Sequence, residues 1–236
     1  MKTLAAVLLC ALGCVGATIS ARDAGSSKPR MVRIVLVGDS TVTDDSGWGA
    51  GFRQIARGAE VINIAANGRS SKSFIAEGRW TTALDARGDY YLIQFGHNDE
   101  PGKGPERETD PGTTYRANMA RYVDEARAIG ATPILVTSLV RRLFNPDGTI
   151  RTTQTPYVDA VRALAAEKKV ALVDLHAISK TDAEHAGDEV WADLSPRDDK
   201  GQVDRTHLNA KGSEVVGRMV ADALRAAVPA LAPSLQ

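Results

Sequence analysis

The chain has 236 residues, 43% of them hydrophobic and 25% charged, which suits one sizeable soluble core and shows no compositional break that would mark a second domain. Its 29 basic side chains balance 29 acidic ones, so it lacks the charge footprint of a nucleic-acid binder. The two cysteines, Cys10 and Cys14, both fall in a stretch expected to be removed, which leaves neither a disulfide nor a thiol nucleophile in the mature chain.

Lys2, the apolar run Leu4 to Val15 and the small residues Gly16, Ala17 and Ala21 have the layout of a signal peptide over 1–21, too short to span a membrane. A secreted or periplasmic location follows as an expectation. Residues 22–30, rich in Ser, Gly and Pro, read as a flexible leader; the folded domain is expected over 31–228, with 229–236 as a C-terminal tail. Five short runs, β-branched or aromatic and bounded by Gly, Asp or Asn, predict strands: Val32 to Val37, Val61 to Ala65, Tyr90 to Phe95, Pro133 to Thr137 and Val170 to Leu175. Between and after them, helical spacing of apolar residues predicts helices over Gly51 to Arg57, Tyr115 to Ala128, Pro156 to Lys168 and Ala210 to Ala227. Strands alternating with helices imply parallel crossovers, hence an α/β fold: a three-layer α/β/α sandwich around a flavodoxin-like parallel sheet of about five strands.

In such sheets ligands and chemistry collect at the carboxyl ends of the strands. There the chain carries Gly38-Asp39-Ser40-Thr41, then Asn67-Gly68-Arg69-Ser70, then Gly96-His97-Asn98-Asp99, and, just before the last helix, Asp204-Arg205-Thr206-His207. Ser40 alone serves equally well as a cap or turn residue. A serine becomes a nucleophile when a histidine takes its proton and a carboxylate holds that histidine, and His207 three residues after Asp204 is placed for this. The reading needs a neutral His207, so activity should fall on acidification. Acyl transfer also needs donors for the developing oxyanion; the backbone N–H groups of Ser40 and Gly68 and the side-chain amide of Asn98 are the candidates.

These blocks, in this order, resemble the SGNH (GDSL-type) hydrolases. Details such as Gly38-Asp39-Ser40-Thr41-Val42, Asn67-Gly68-Arg69-Ser70-Ser71-Lys72-Ser73-Phe74, Glu77-Gly78-Arg79-Trp80, Gln94-Phe95-Gly96-His97-Asn98-Asp99 and Thr206-His207-Leu208-Asn209 are most similar to the rhamnogalacturonan acetylesterases. The resemblance implies Ser40 as nucleophile, His207 as base, Asp204 orienting it, and Ser40, Gly68 and Asn98 as the oxyanion hole. It implies an esterase, without cofactor, that removes acetyl groups from an acidic plant polysaccharide such as pectic rhamnogalacturonan. A lipase or thioesterase of the same superfamily, and a non-catalytic flavodoxin-like or carbohydrate-binding module, are the alternatives. One block departs from the common pattern: Gly68 is followed by Arg69-Ser70 where many members carry Gly-x-Asn.

Arg69, Arg79, Trp80 and His97 are the expected substrate-binding residues, with Arg141, Arg142 and Trp191 as further candidates, since arginine pairs with carboxylates and tryptophan stacks on sugar rings. His97 also reads as a structural hydrogen-bonding residue. The acidic run from Asp182 to Asp199 lacks the oxygen spacing of a calcium loop and reads as a solvated loop, so no metal is assigned. Neither nucleic acid nor membrane is expected as a partner, and the enzyme is expected to act as a monomer.

Overall fold

The computed structural model describes residues 30–236. The expected signal peptide, both cysteines and all of the expected leader except Arg30 lie outside them. Residues Met31 to Gln236 form one compact unit.

Five strands, β1 (Val32–Gly38), β2 (Ala59–Asn63), β3 (Tyr90–Gln94), β4 (Thr132–Val136) and β5 (Ala171–Val173), make one sheet in the order β2-β1-β3-β4-β5, every neighbouring pair parallel. β1 is central and aliphatic throughout because both of its faces are covered, as parallel strands require. Ile34 and Leu36 point into one apolar layer with Trp48, Phe52, Val216 and Leu224; Val35 and Val37 point into the other with Phe74, Trp80, Phe95 and Tyr122. All four strand residues are fully buried.

The first layer is covered by α1 (Gly49–Ile55) and α8 (Ala210–Ala227), the second chiefly by α4 (Thr114–Ala128) and α5 (Thr155–Lys168). α1 and α8 approach so closely that a Cβ on Gly51 would lie 2.0 Å from the Ser213 carbonyl oxygen. The Ser213 hydroxyl accepts the Gly51 N–H at 3.1 Å, so glycine there lets two helices touch through their backbones.

Four helices were not anticipated. α2 (Ser71–Ala76) and α3 (Arg79–Asp85) are too short to show an apolar period, although Ser70 and Ser73 form a reciprocal capping box that marks where α2 begins. The acidic stretch is also helical over most of its length: α6 (Leu175–Ala186) and α7 (Asp188–Asp193) carry Asp182, Glu184, Asp188, Glu189 and Asp193. Trp191 anchors that region at 0% exposure, its Nε1 donating to Asp182 Oδ2 at 3.0 Å.

Residues 229–236 are not a loose tail. They form a 3₁₀ turn, Pro229–Ser234, that buries Leu231 and Leu235 under α8 and α1. The Gln236 N–H donates to the Ile55 carbonyl at 2.8 Å, and the Gly58 N–H to the Ser234 carbonyl at 3.1 Å. Polar and proline residues in the sequence hid two leucines that finish the core.

Candidate active site

The chain switches sides at β1: β2 lies on one flank and β3 on the other, so the loops after these strands diverge and leave a crevice at their carboxyl ends. Ser40 stands two residues beyond β1, in a tight turn closed by the Val42 N–H donating to the Asp39 carbonyl at 3.1 Å. The fully buried Asp39 carboxylate stiffens the turn, accepting the Thr41 N–H at 2.9 Å and the Thr41 hydroxyl at 2.7 Å. The Gln94 side-chain amide donates to the Thr41 hydroxyl at 2.6 Å and accepts Trp48 Nε1–H at 3.0 Å, tying the Ser40 turn to β3 and α1.

His207 reaches the turn from the far end of the chain. Its Nε2 is 2.9 Å from Ser40 Oγ, and its Nδ1 is 2.7 Å from Asp204 Oδ2. The other Asp204 oxygen accepts the backbone N–H groups of Thr206 (2.7 Å) and His207 (3.0 Å), which bends residues 204–207 into the loop that aims the imidazole. Partial burial raises the Asp204 pKa, but the bonds from His207 and from these two amides outweigh it, so the carboxyl sits below its ordinary value and stays ionised. An alcohol, an imidazole and an ionised carboxylate in one hydrogen-bonded line can withdraw a proton from the alcohol as it attacks.

Ser40, Gly68, Asn98 and His207 line one open cleft together with Asp45, Ser46, Asn67, Pro196 and Asp204. Among the described residues the N–H groups of Ser40 and Gly68 have no protein acceptor. Asn98 Nδ2 donates one hydrogen to the Arg69 carbonyl at 3.2 Å and keeps the other. Three unspent donors therefore border the cleft that holds Ser40 Oγ. Gly68 has a backbone reason to be glycine as well as a spatial one: its φ is +77°, and a Cβ there would meet no protein atom and would enter the open crevice.

Several expected substrate contacts stand elsewhere. Trp80 is 2% exposed and packs edge-on against Tyr122 with ring centroids 4.8 Å apart, while its Nε1 donates to Glu125 at 2.7 Å. It belongs to the aromatic core and cannot stack on a sugar. His97 is also enclosed; its Nδ1 lies 3.4 Å from Asp39 Oδ2, beneath the Ser40 turn. Burial pushes Asp39 up, but His97 and the bonds from Thr41 more than offset this and leave it below its ordinary value. Arg69 and Arg79 remain at the surface, both donating to Glu77 Oε2 at 2.9 Å. Trp191 is sealed in the core.

Arg142 has a role that sequence reasoning did not see. Its buried guanidinium donates to the carbonyls of Thr206 (2.7 Å), His207 (2.5 Å) and Asp204 (3.3 Å) and to the Ser195 hydroxyl (2.9 Å), and its backbone N–H donates to the Arg205 carbonyl (2.9 Å). Desolvation lowers its pKa to about 10, so it is still charged at neutral pH. One cation thus holds the whole loop that presents His207. Asp99 plays a similar part between the oxyanion loops: buried, it accepts the Ser71 N–H at 3.1 Å, the Ser71 hydroxyl at 2.6 Å and the Thr109 hydroxyl at 2.8 Å. Burial raises its pKa to about 6 despite these bonds.

Known proteins agree with this architecture. The model of the GDSL-like Lipase/Acylhydrolase family matches residues 36–215. The rhamnogalacturonan acetylesterase RhgT of Bacillus subtilis (strain 168) is 38% identical over 211 residues, 82% of this chain and 89% of its own. The rhamnogalacturonan acetylesterase of Emericella nidulans is 30% identical over 208 residues, 78% of this chain and 80% of its own. The solved structure of the Bacillus subtilis protein YxiM superposes with a TM-score of 0.72 at 25% identity, over 84% of this chain but only 57% of that longer one. The chain belongs to the GDSL-like lipase/acylhydrolase family. It is a carboxylic ester hydrolase, built on the five-stranded parallel sheet common to its structural neighbours.

Proposed function

We propose that the protein is a secreted serine acetylesterase that removes O-acetyl groups from an acidic cell-wall polysaccharide, rhamnogalacturonan foremost. Ser40 attacks the ester carbonyl while His207 takes its proton; the oxyanion is held by the N–H groups of Ser40 and Gly68 and by the Asn98 amide; His207 then returns the proton to the departing sugar oxygen. Water repeats the sequence on the acetyl-enzyme, releasing acetate. Asp204 keeps His207 in the tautomer with Nδ1 protonated, which leaves Nε2 free to accept.

The observation that carries the mechanism is the 2.9 Å approach of His207 Nε2 to Ser40 Oγ across 167 positions of sequence. Of the residues lining the cleft only Pro196 has an aliphatic side chain, so a short acetyl group fits while a long hydrocarbon chain meets few apolar side chains to pack against. The sugar class is supported by the relatives RhgT and the Emericella nidulans protein, which are rhamnogalacturonan acetylesterases.

The test is acetate release from acetylated rhamnogalacturonan, acetylated xylan and a long-chain ester, by the protein and its Ser40→Ala form. Wild type is expected to be fastest on the first, and Ser40→Ala to lose on the order of 10⁶-fold in kcat. Equal turnover of the long-chain ester, or acetate release undiminished by Ser40→Ala, would refute the reading.

A further inference from the structure

A second cleft opens beside the one that holds Ser40. It is bounded by the loop that follows β3 and the start of α5, with Pro101, Pro111 and Pro156 as its apolar walls, the buried Tyr157 behind them, and Arg141 and Lys103 as its cations. The two clefts share a rim. Asn98 lines the first and Glu100 the second, so their backbones are at most about 7 Å apart. The wall between them is held firmly: Arg141 Nη2 donates to the His97 carbonyl at 3.1 Å, and the Tyr157 hydroxyl lies 2.9 Å from the Asp99 carbonyl and 2.8 Å from that of Thr109.

Among the residues that line this second cleft two cations, Lys103 and Arg141, face one carboxylate, Glu100. Burial raises the Tyr157 pKa, and Asp110 and Glu108 stand near enough to add to the rise. Arg141 is spent on the Glu100 carboxylate, with the Thr153 hydroxyl as a further partner at 3.1 Å. Glu108, on the same loop, turns its carboxylate to the Gly102 and Gly104 N–H groups, each at 2.8 Å, and lies outside the lining. Lys103 has no acidic or hydrogen-bonding partner among the described residues. The opposite rim of the first cleft carries the reverse sign: Asp45 is held at a pKa of about 2, chiefly by the Thr43 hydroxyl nearby, with burial opposing and bonds from Asn67 and Ser46 helping, so it is anionic at any working pH.

From this asymmetry we propose that the second cleft is a sugar subsite for an anionic residue, whose carboxylate pairs with Lys103 while its ring lies against the proline walls. The inference rests on the acidic-polysaccharide reading above and deepens it. An acidic chain crossing Ser40 is repelled at the Asp45 rim and drawn toward Lys103, which fixes the direction in which it lies and therefore which acetyl group meets Ser40. Lys103, rather than the Glu77-bound pair Arg69 and Arg79, is the cation left available for the substrate.

The experiment measures KM for an acetylated acidic oligosaccharide divided by KM for p-nitrophenyl acetate, in wild type, Lys103→Glu and Lys169→Glu. The last makes the same charge change at an exposed position at the amino end of β5, at the other end of the sheet. Lys103→Glu is expected to raise the ratio roughly fivefold or more at low ionic strength, the difference shrinking as salt is added, while Lys169→Glu leaves it at the wild-type value. Acetate release from the acidic substrate with an unchanged ratio in Lys103→Glu, or an equal rise in Lys169→Glu, overturns the subsite alone. No acetate from the acidic substrate in wild type overturns the substrate reading and the subsite with it.

Discussion

Ser40, His207 and Asp204 were visible as residues because each combines a reactive side chain with a place at the end of an apolar run or just before a helix. What the residues could not display was their conformational setting. Gly68 read as a donor to the oxyanion, whereas its positive φ makes glycine the low-strain choice even before substrate arrives. Trp80 read as a stacking platform because a tryptophan has an apolar body and a polar N–H in either setting; only its contact with Glu125 and Tyr122 shows that both needs are met inside. At this scale the prediction concerns Asp204→Asn. The change keeps the shape of the side chain but offers His207 Nδ1 an amide in place of an ionised acceptor, so kcat for ester hydrolysis should drop on the order of 10⁴-fold while the Tm moves little. A loss below about tenfold in steady-state assays would show that Asp204 does not orient the base.

The loops that present the site are held by buried charges whose partners are backbone groups, and that is why their function was illegible beforehand. A carbonyl has no sequence signature, so Arg142 read as a candidate for contact with an anionic sugar and not as the clamp of a loop. Arg142→Ala would leave the carbonyls of residues 204, 206 and 207 without their donor in a dry interior, at a cost of about 3 kcal/mol or more. The expected result is a clear drop in denaturation midpoint together with a fall in kcat; Arg142→Lys should rescue only part of both, since one ammonium nitrogen cannot reach all the acceptors that the two Nη atoms of the guanidinium span. Asp99 is the matching case of opposite sign. Its pKa of about 6 lies above the ordinary 3.8, so folding favours its protonated form: that contribution is fully present below about pH 4 and is lost as pH rises through about 6. Asp99→Asn removes the titration. The stability of the variant minus that of wild type should therefore be more favourable at pH 8 than at pH 4, by at most about 3 kcal/mol, as read from urea melts at the two values. A difference that does not vary with pH would show that Asp99 is not perturbed.

Across the described fold, the order β2-β1-β3-β4-β5 brings an early and a late segment to one place: β1 delivers Ser40, and the loop before α8 delivers His207. The closing 3₁₀ turn supports the same layer, because Leu231 and Leu235 pack beneath α1 and α8. Deleting residues 229–236 should cost about 3–6 kcal/mol from those two side chains and lower the Tm sharply, an outcome calorimetry would check. Unchanged thermal stability would restore the reading of this segment as a tail. The alternation of apolar runs and helical stretches was enough by itself to determine a parallel sheet with helices on both faces, because burial on two faces imposes an unbroken aliphatic pattern that chain order records directly. Residue type and position singled out Ser40, His207 and Asp204, which the structure brings within hydrogen-bonding distance of one another. The tertiary structure alone decided which arginines pair with carboxylates at the surface and which grips a loop, which tryptophans are core, and that Lys103 borders a second cleft. Those outcomes depend on contacts between residues far apart in sequence and on backbone groups that every residue carries alike.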